Sequence, residues 1–337
     1  MNVIDQKQGE NYHAYNADCI EVAKALPDNS IGYSVYSPPF VSLYTFSNSD
    51  RDMSNNTGKG EFFDQYQFLI EEKLRITKPG RLTSVHCMDM TTTKGRDGFI
   101  GIYDFSGDII KAHEKAGWIF HSRVTIWKDP VVAMQRTKAL GLLHKTICKD
   151  SSQSRHGLPD YILTFRKPGD NDTPIEGGFK WYCGNMNLND FSVAKNHDLS
   201  NEFKISDKFQ DGMIRQLPSG DPKASINIWQ QYASPVWFDI GQSNTLQFRE
   251  ARDNDDEKHI SPLQLDVIER CLQLWSMPGD VVFSPFMGIG SEGYVALNML
   301  DGPRKFIGTE LKESYFKVAC KNLDEAETNE EQGDLFA

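Results

Sequence analysis

Residues 281–293 read Val-Val-Phe-Ser-Pro-Phe-Met-Gly-Ile-Gly-Ser-Glu-Gly. Val281 to Phe283 form a β-prone run, Gly288, Gly290 and Gly293 match G-x-G-x-x-G, and Ser291 to Leu300 suits a helix. Strand, glycine turn and helix in that order let the backbone turn tightly and come close to a ligand. Lys305 to Gly308 reads as the next strand, and Glu310 closes it. A carboxylate at that place can accept hydrogen bonds from ribose hydroxyls.

On its own the segment admits three readings. It can hold a nicotinamide or flavin dinucleotide, or S-adenosylmethionine, or it can be a structural turn with Glu310 on the surface. Its place in the chain narrows them. Only 27 residues follow Glu310, too few to finish a sheet. The other strands must come earlier, so the nucleotide-binding half comes last, an order unusual for dehydrogenases.

Upstream, Ile31 to Tyr36 reads as a strand. Residues 62–76 carry Phe62, Tyr66, Leu69, Ile70 and Leu74 at helical spacing and stop before Lys78-Pro79-Gly80. Arg81 to His86 suits a strand, 104–116 a helix ending at Gly117, and Ile119 to Trp127 a strand. Pro262 to Trp275 and Ser314 to Leu323 suit helices. This alternation predicts an α/β fold, a mostly parallel sheet with helices on both faces. The period is lost over residues 168–255, which read as a loop-rich inserted unit.

Ser37-Pro38-Pro39-Phe40 follows the first strong strand. Proline fixes the backbone and has no N–H to donate, so the carbonyls here stay free as acceptors past the carboxyl end of a strand, where open α/β sheets bind ligands. An exocyclic amine offers two N–H donors, and a serine oxygen with a proline carbonyl can take both. Phe40 supplies a flat face for stacking a base. A base within a duplex is out of reach and must be flipped out. Taken alone, the tetrapeptide is equally a turn with Phe40 in the core.

The net charge of −11 argues against a nucleic-acid partner until its distribution is considered. Residues 121–168 hold nine Lys or Arg against three Asp, a local excess able to neutralise phosphates. Arg136, Lys138, Lys145, Lys149 and Arg155 lie in one stretch that suits a helix, and phosphate contacts are expected there, with a solvated face as the alternative reading. Residues 322–337 carry six acids and no base and read as a solvated tail. The six cysteines form no C-x-x-C pair, which fits a reducing cytoplasm. None follows a proline, which removes the nucleophile expected of an enzyme methylating carbon 5 of cytosine. His86, His121, His144, His156 and His259 lack metal-like spacing and read as satisfied or exposed, so no metal is expected. No run of 18 apolar residues appears, and no membrane partner is expected.

Together these segments resemble the permuted amino-methyltransferases of DNA, the beta group of the N4-cytosine/N6-adenine DNA methylase family. Ser37 to Phe40 match the family's catalytic tetrapeptide. Phe286, Gly288 and Gly290 match its F-x-G-x-G cofactor motif, and Glu310 its ribose-binding acid. Asn16-Ala17-Asp18-Cys19 with Leu26-Pro27-Asp28-Asn29-Ser30 is similar to G-D-C…L-P-D-x-S, and Lys258 to Leu263, with Ser261, to the segment flanking the methionine end of the cofactor.

The resemblance implies a Rossmann-like fold in circularly permuted motif order, S-adenosylmethionine as cofactor and double-stranded DNA as substrate. Ser37 and the Pro38 carbonyl, fixed by Pro39, would hold the target amine, and Asp18 the cofactor's adenine. It implies a catalytic domain of residues 1–167 and 256–323 and a target-recognition region at 168–255, in a bacterial or phage-infected cell, and the composition of residues 324–337 marks them as an acidic tail. The oligomeric state, a homodimer included, is open. Two positions depart from the pattern. Ser284 stands where the family has the Asp that holds the cofactor's amino group, and Ser291-Glu292 replaces Gly-Thr. Ser-Pro-Pro goes more often with N4 of cytosine than with N6 of adenine. An RNA or protein-amide methyltransferase, a nicotinamide-dependent oxidoreductase and a non-catalytic DNA-binding relative are the rival readings.

Overall fold

In the computed structural model the described residues are 3–39, 53, 59–92, 94–137, 139–184, 204–205, 214–216, 222–247 and 262–334. The chain opens with a hairpin, β1 (Val3–Gln8) and β2 (Tyr12–Ala17), then α1 (Cys19–Ala25) and β3 (Ile31–Tyr36). Next come α2 (Lys59–Ile76), β4 (Thr77–Met88), β5 (Met90–Thr92), α3 (Lys94–Asp97), β6 (Gly101–Tyr103), α4 (Phe105–Ala116) and β7 (Ile119–Ile126). Two short helices, α5 (Pro130–Thr137) and α6 (His144–Lys149), lead to β8 (Asp160–Arg166). The middle region supplies β9 (Trp181–Cys183), β10 (Lys204–Ile205), β11 (Ile214–Gln216), α7 (Pro222–Tyr232) and β12 (Val236–Trp237). The chain ends with α8 (Leu265–Trp275), β13 (Val281–Ser284), α9 (Ser291–Leu297), β14 (Lys305–Glu310) and α10 (Glu313–Asp334).

Among the described residues the main sheet has nine strands in the order β1-β2-β14-β13-β3-β4-β8-β7-β12. β2, β14, β13, β3 and β4 run parallel, β8 is antiparallel to both β4 and β7, and β1 closes one edge as an antiparallel hairpin strand. The sheet is thus mostly parallel, and both faces are covered, as parallel strands require. Val267, Ile268 and Leu272 of α8, Val295 of α9 and Phe316 and Leu323 of α10 form one core with Tyr33, Val35, Val282 and Phe306. Phe62, Tyr66 and Leu69 of α2 and Phe105, Ile109 and Ala112 of α4 form the other with Tyr36, Val85, Phe165 and Phe283.

Local chemistry sets the element ends. α4 starts at Asp104, whose carboxylate accepts from Gly107 N, and stops at Gly117 with φ 102°, a left-handed cap that glycine adopts freely. Pro79-Gly80 does not separate α2 from β4 as a free turn. It forms an irregularity within β4, where pairing with β3 passes from Ile31↔Thr77 to Tyr33↔Leu82.

Three expectations change. The basic stretch from Gln135 to Arg155 is not one helix but α5, α6 and two 3-10 turns. The acidic end is not a free tail, because α10 runs through it to Asp334. Asp324 accepts from the Tyr12 hydroxyl at 2.6 Å, and Glu327 Oε1 accepts from Asn11 N at 2.6 Å. The span 168–255 is not wholly a separate unit either. Its β12 pairs with β7, and Trp181 and Trp237 are buried in the main core. Trp181 Nε1 donates to Glu269, while Arg270 of α8 donates to Asp239 and to the Cys183 carbonyl. No helix among the described residues is long and apolar enough to cross a membrane.

Candidate active site

β13 and β3 are neighbours, paired through Val282 and Tyr33. From β13 the sheet continues through β14 to β2, and from β3 through β4 in the opposite direction. Connections that leave to opposite sides open a crevice at the carboxyl ends of the strands, the usual ligand site of such sheets. The glycine loop follows β13 at this crevice and Ser37-Pro38-Pro39 follows β3. Two segments from opposite ends of the chain therefore meet at one point. Phe286 of the loop packs on Tyr36, the last residue of β3, with ring centroids 5.9 Å apart.

The loop is held from its sides. Met287 N donates to Thr309 O, Thr309 Oγ1 to Pro285 O, and Asn322 Nδ2 to Ile289 O. Gly288 and Gly290 both have positive φ, 53° and 87°. A Cβ on Gly290 would sit 3.3 Å from Ala319, and one on Gly293 would run into Phe306 and Leu323. A Cβ on Gly288 would meet nothing within 4 Å, so open space adjoins the loop. Glu310 accepts from Gly288 N at 3.1 Å and from Lys312 N at 2.8 Å. Asn16 Nδ2 ties the carbonyls of Glu310 and Leu311 to the end of β2.

Ser284, the last residue of β13, is fully buried, and its hydroxyl has no hydrogen-bond partner among the described residues. A buried orphan hydroxyl, an open flank at a glycine and a carboxylate at the next strand's end fit a nucleoside-bearing cofactor. Asp18 lies past the end of β2, but its Oδ1 accepts from Ile20 N at 2.8 Å and caps α1. Glu292, which replaces the usual threonine, is buried in the first turn of α9. Burial, reinforced by the charge of Glu310, pushes its carboxyl up to about 8.

The other half of the site rests on strand register. Tyr36 pairs with Val85, so Ser37 falls beside His86. Ser37 Oγ and His86 Nδ1 are 2.8 Å apart. Met88 and Ile126 both pair with Asp160, which places Asp160 between the ends of β4 and β7. Asp160 Oδ2 lies 3.1 Å from His86 Nε2 and 2.6 Å from Lys128 Nζ. Burial works to raise the Asp160 carboxyl, but His86 and Lys128 prevail and hold it below the usual carboxylate range. His86 and Asp160 were not singled out by sequence. Aligned ends of the strands at 36 and 86 carry the signal for His86. Asp160 carries none, because β8 shows no pattern that marks it as antiparallel.

Lys128 also leaves the set of candidate phosphate cations, since it is paired with Asp160. Lys167 does likewise, donating to Asn29 and to the Arg75 and Thr77 carbonyls. Lys145 and Lys149 are exposed on α6, and Arg155 donates to the His156 carbonyl. The connection carrying them leaves the carboxyl end of β7 and returns at Asp160, so it starts and ends at the crevice edge. Phe40, Ser261 and Lys138 lie outside the described residues, as does the side chain of Arg136.

The DNA methylase family model matches residues 31–321. The chain belongs to the DNA methylase family. Type II methyltransferase M.BglII of Bacillus subtilis is 25% identical over 311 residues, covering 92% of this methylase and 68% of its own chain. A DNA modification methylase from Thermus thermophilus, solved with S-adenosyl-L-methionine, superposes with a TM-score of 0.56 at 18% identity, covering 92% of this chain and 94% of the other. PvuII DNA methyltransferase, which is cytosine-N4-specific, gives a TM-score of 0.56 at 13% identity over 97% of this chain and 96% of its own. The fold of this methylase is thus the Rossmann-like fold of the S-adenosylmethionine-dependent methyltransferases.

Proposed function

We propose that this DNA methylase transfers a methyl group from S-adenosylmethionine to the exocyclic amino nitrogen of a base swung out of duplex DNA, with N4 of cytosine favoured over N6 of adenine. One observation carries the reading: Ser37-Pro38-Pro39 and the Gly288–Gly290 loop end adjacent strands at the switch point of the sheet. An amine acceptor and a nucleoside-binding loop side by side are what a direct transfer needs.

Glu310 would hold the ribose hydroxyls, Gly288 and Gly290 would admit the cofactor, and the Ser284 hydroxyl would take a cofactor polar group in place of an Asp. Asp18, Phe286 and Ser261 complete the cofactor set that the resemblance implies. Bound S-adenosylmethionine supplies an activated methyl group. Ser37 Oγ and the Pro38 carbonyl would accept the two N–H groups of the target amine and draw the nitrogen lone pair out of conjugation with the ring. Phe40 would stack on the flipped base. These groups act mainly by holding the reacting atoms in line, which can lower a barrier by roughly 7–11 kcal/mol. Lys145, Lys149 and Arg155, with Arg136 and Lys138, would contact phosphates and position the duplex. The preference for cytosine rests on Ser at the first position of the tetrapeptide.

The test is incubation with unmethylated DNA and isotope-labelled S-adenosylmethionine, digestion to nucleosides and mass spectrometry. Labelled N4-methylcytosine is expected. Labelled N6-methyladenine would overturn the choice of base, and label in RNA or protein but not DNA would overturn the substrate.

A further inference from the structure

The Ser37 hydroxyl has one proton to give and can accept two. As a holder of the target amine it must accept. If it donated to the amine nitrogen it would occupy the lone pair that has to attack the methyl group. Some group must therefore take the serine proton, and do so every time.

We propose that His86 and Asp160 form a positioning pair that locks the Ser37 hydroxyl as an acceptor, an assignment that rests on the amino-methylation reading above. Asp160 is 2% exposed at its side chain and is held ionised by the Lys128 ammonium beside it. An ionised carboxylate only accepts. The nearer His86 nitrogen, Nε2, lies 3.1 Å from Asp160 Oδ2, off the line of a hydrogen bond, and the carboxylate charge beside it favours the ring proton on that nitrogen. In a neutral imidazole the other nitrogen is then bare. That nitrogen, Nδ1, is 2.8 Å from Ser37 Oγ, so the serine proton points at it and both oxygen lone pairs remain for the substrate side. Lys128 on Asp160 Oδ2 keeps the carboxylate charged, so the chain of constraints starts from a fixed cation. The strands enforce the geometry: Ser37 sits past β3, His86 in β4 and Asp160 at the head of β8, three adjacent strands of one sheet.

Two substitutions separate this role from simple packing. Asp160→Ala removes the acceptor and leaves the Lys128 ammonium beside Nε2, which favours a bare Nε2, a proton on Nδ1 and a reversed Ser37 hydrogen bond. His86→Asn places an amide oxygen near the position of Nδ1, where it can still accept the serine proton. Nitrogen-15 histidine NMR on the full-length protein reads the tautomer directly, with His86 assigned by its loss in His86→Asn. The expected result is a proton on Nε2 in the wild type and on Nδ1 in Asp160→Ala. In steady-state methylation of DNA, Asp160→Ala and His86→Ala should lose roughly 10²-fold in kcat with KM for DNA and for S-adenosylmethionine unchanged, the range typical of a lost proton-handling group. His86→Asn should regain at least tenfold over His86→Ala. A wild-type protein with its His86 proton on Nδ1, or an Asp160→Ala protein with unaltered kcat, would overturn the pair's role. A wild type that methylates no DNA would instead overturn the reading on which it rests.

Discussion

Gly288 is the point where the absence of a side chain has a defined use. Its φ of 53° and the empty volume where its Cβ would stand leave backbone open to a ligand. Gly288→Ala should fold, since nothing protein-borne is displaced, at a backbone cost of about 1–2 kcal/mol. The new methyl group would project into the space assigned to the cofactor. Titration calorimetry should show S-adenosylmethionine binding weakened about tenfold, equivalent to about 1.4 kcal/mol. Unchanged affinity would place the cofactor elsewhere. Residues of this kind were legible in sequence because glycine and proline declare their backbone roles. Ser37, Gly288, Gly290 and Glu310 all lie at the predicted edge. The roles of His86 and Lys128 were not legible, because a partner on another strand leaves no trace in local sequence.

At the scale of elements, α10 joins the two ends of the chain. Glu327 accepts from the backbone N–H groups of Asn11 and Glu10, at 2.6 Å and 3.1 Å, in the turn between β1 and β2. Glu327→Ala would leave the half-buried Asn11 N–H without that acceptor and should cost about 1–3 kcal/mol. Urea unfolding should show a lower midpoint, and hydrogen exchange at Asn11 should quicken. Equal midpoints would mean that water replaces the carboxylate fully. The sequence read this region as a solvated tail because an acidic run is usually solvent-facing, and backbone N–H partners have no residue code. The helices α2, α4 and α8 and the strands β3, β13 and β14 were legible from apolar spacing and glycine or proline punctuation. β12 was not. At two residues it is too short to show a period, and only the aromatic Trp237 hints that it is buried.

At the scale of the whole molecule, the catalytic unit is closed by long-range ion pairs. Arg81 of β4 donates to both carboxylate oxygens of Asp280, 199 residues away, at 2.8 Å and 2.9 Å. The permuted motif order was legible because Ser37-Pro38-Pro39-Phe40 precedes the Gly288–Gly290 loop in the chain. The interlock of the middle region with α8 was not, because it depends on buried polar pairs such as Trp181–Glu269. Those pairs shape the response to pH. Burial pushes the Glu269 and Glu292 carboxyls up to about 8, from an ordinary 4.5. Between these values the folded state keeps protons that the unfolded chain has released, so stability falls as pH rises. It is fully present below about 4.5 and lost through about 8. Asp266, which burial raises to about 7, adds to the fall, while His113, which burial lowers to about 3, opposes it only below its ordinary 6.5, and Asp160 is shifted down and acts only below its ordinary 3.8. The melting temperature should therefore drop from pH 5 to pH 8, and Glu269→Gln should flatten the slope. A melting temperature that rises over this interval would contradict the assignment.

The central claim is that Ser37 holds the amine that is methylated. The most direct test is the single-turnover rate of DNA methylation by Ser37→Ala, with the dissociation constants for DNA and for S-adenosylmethionine measured on the same protein. Loss of roughly 10²-fold or more in rate with both constants unchanged is predicted, the scale seen when one preorganised hydrogen-bonding group is removed from an active site. A rate equal to that of the wild type would contradict the account.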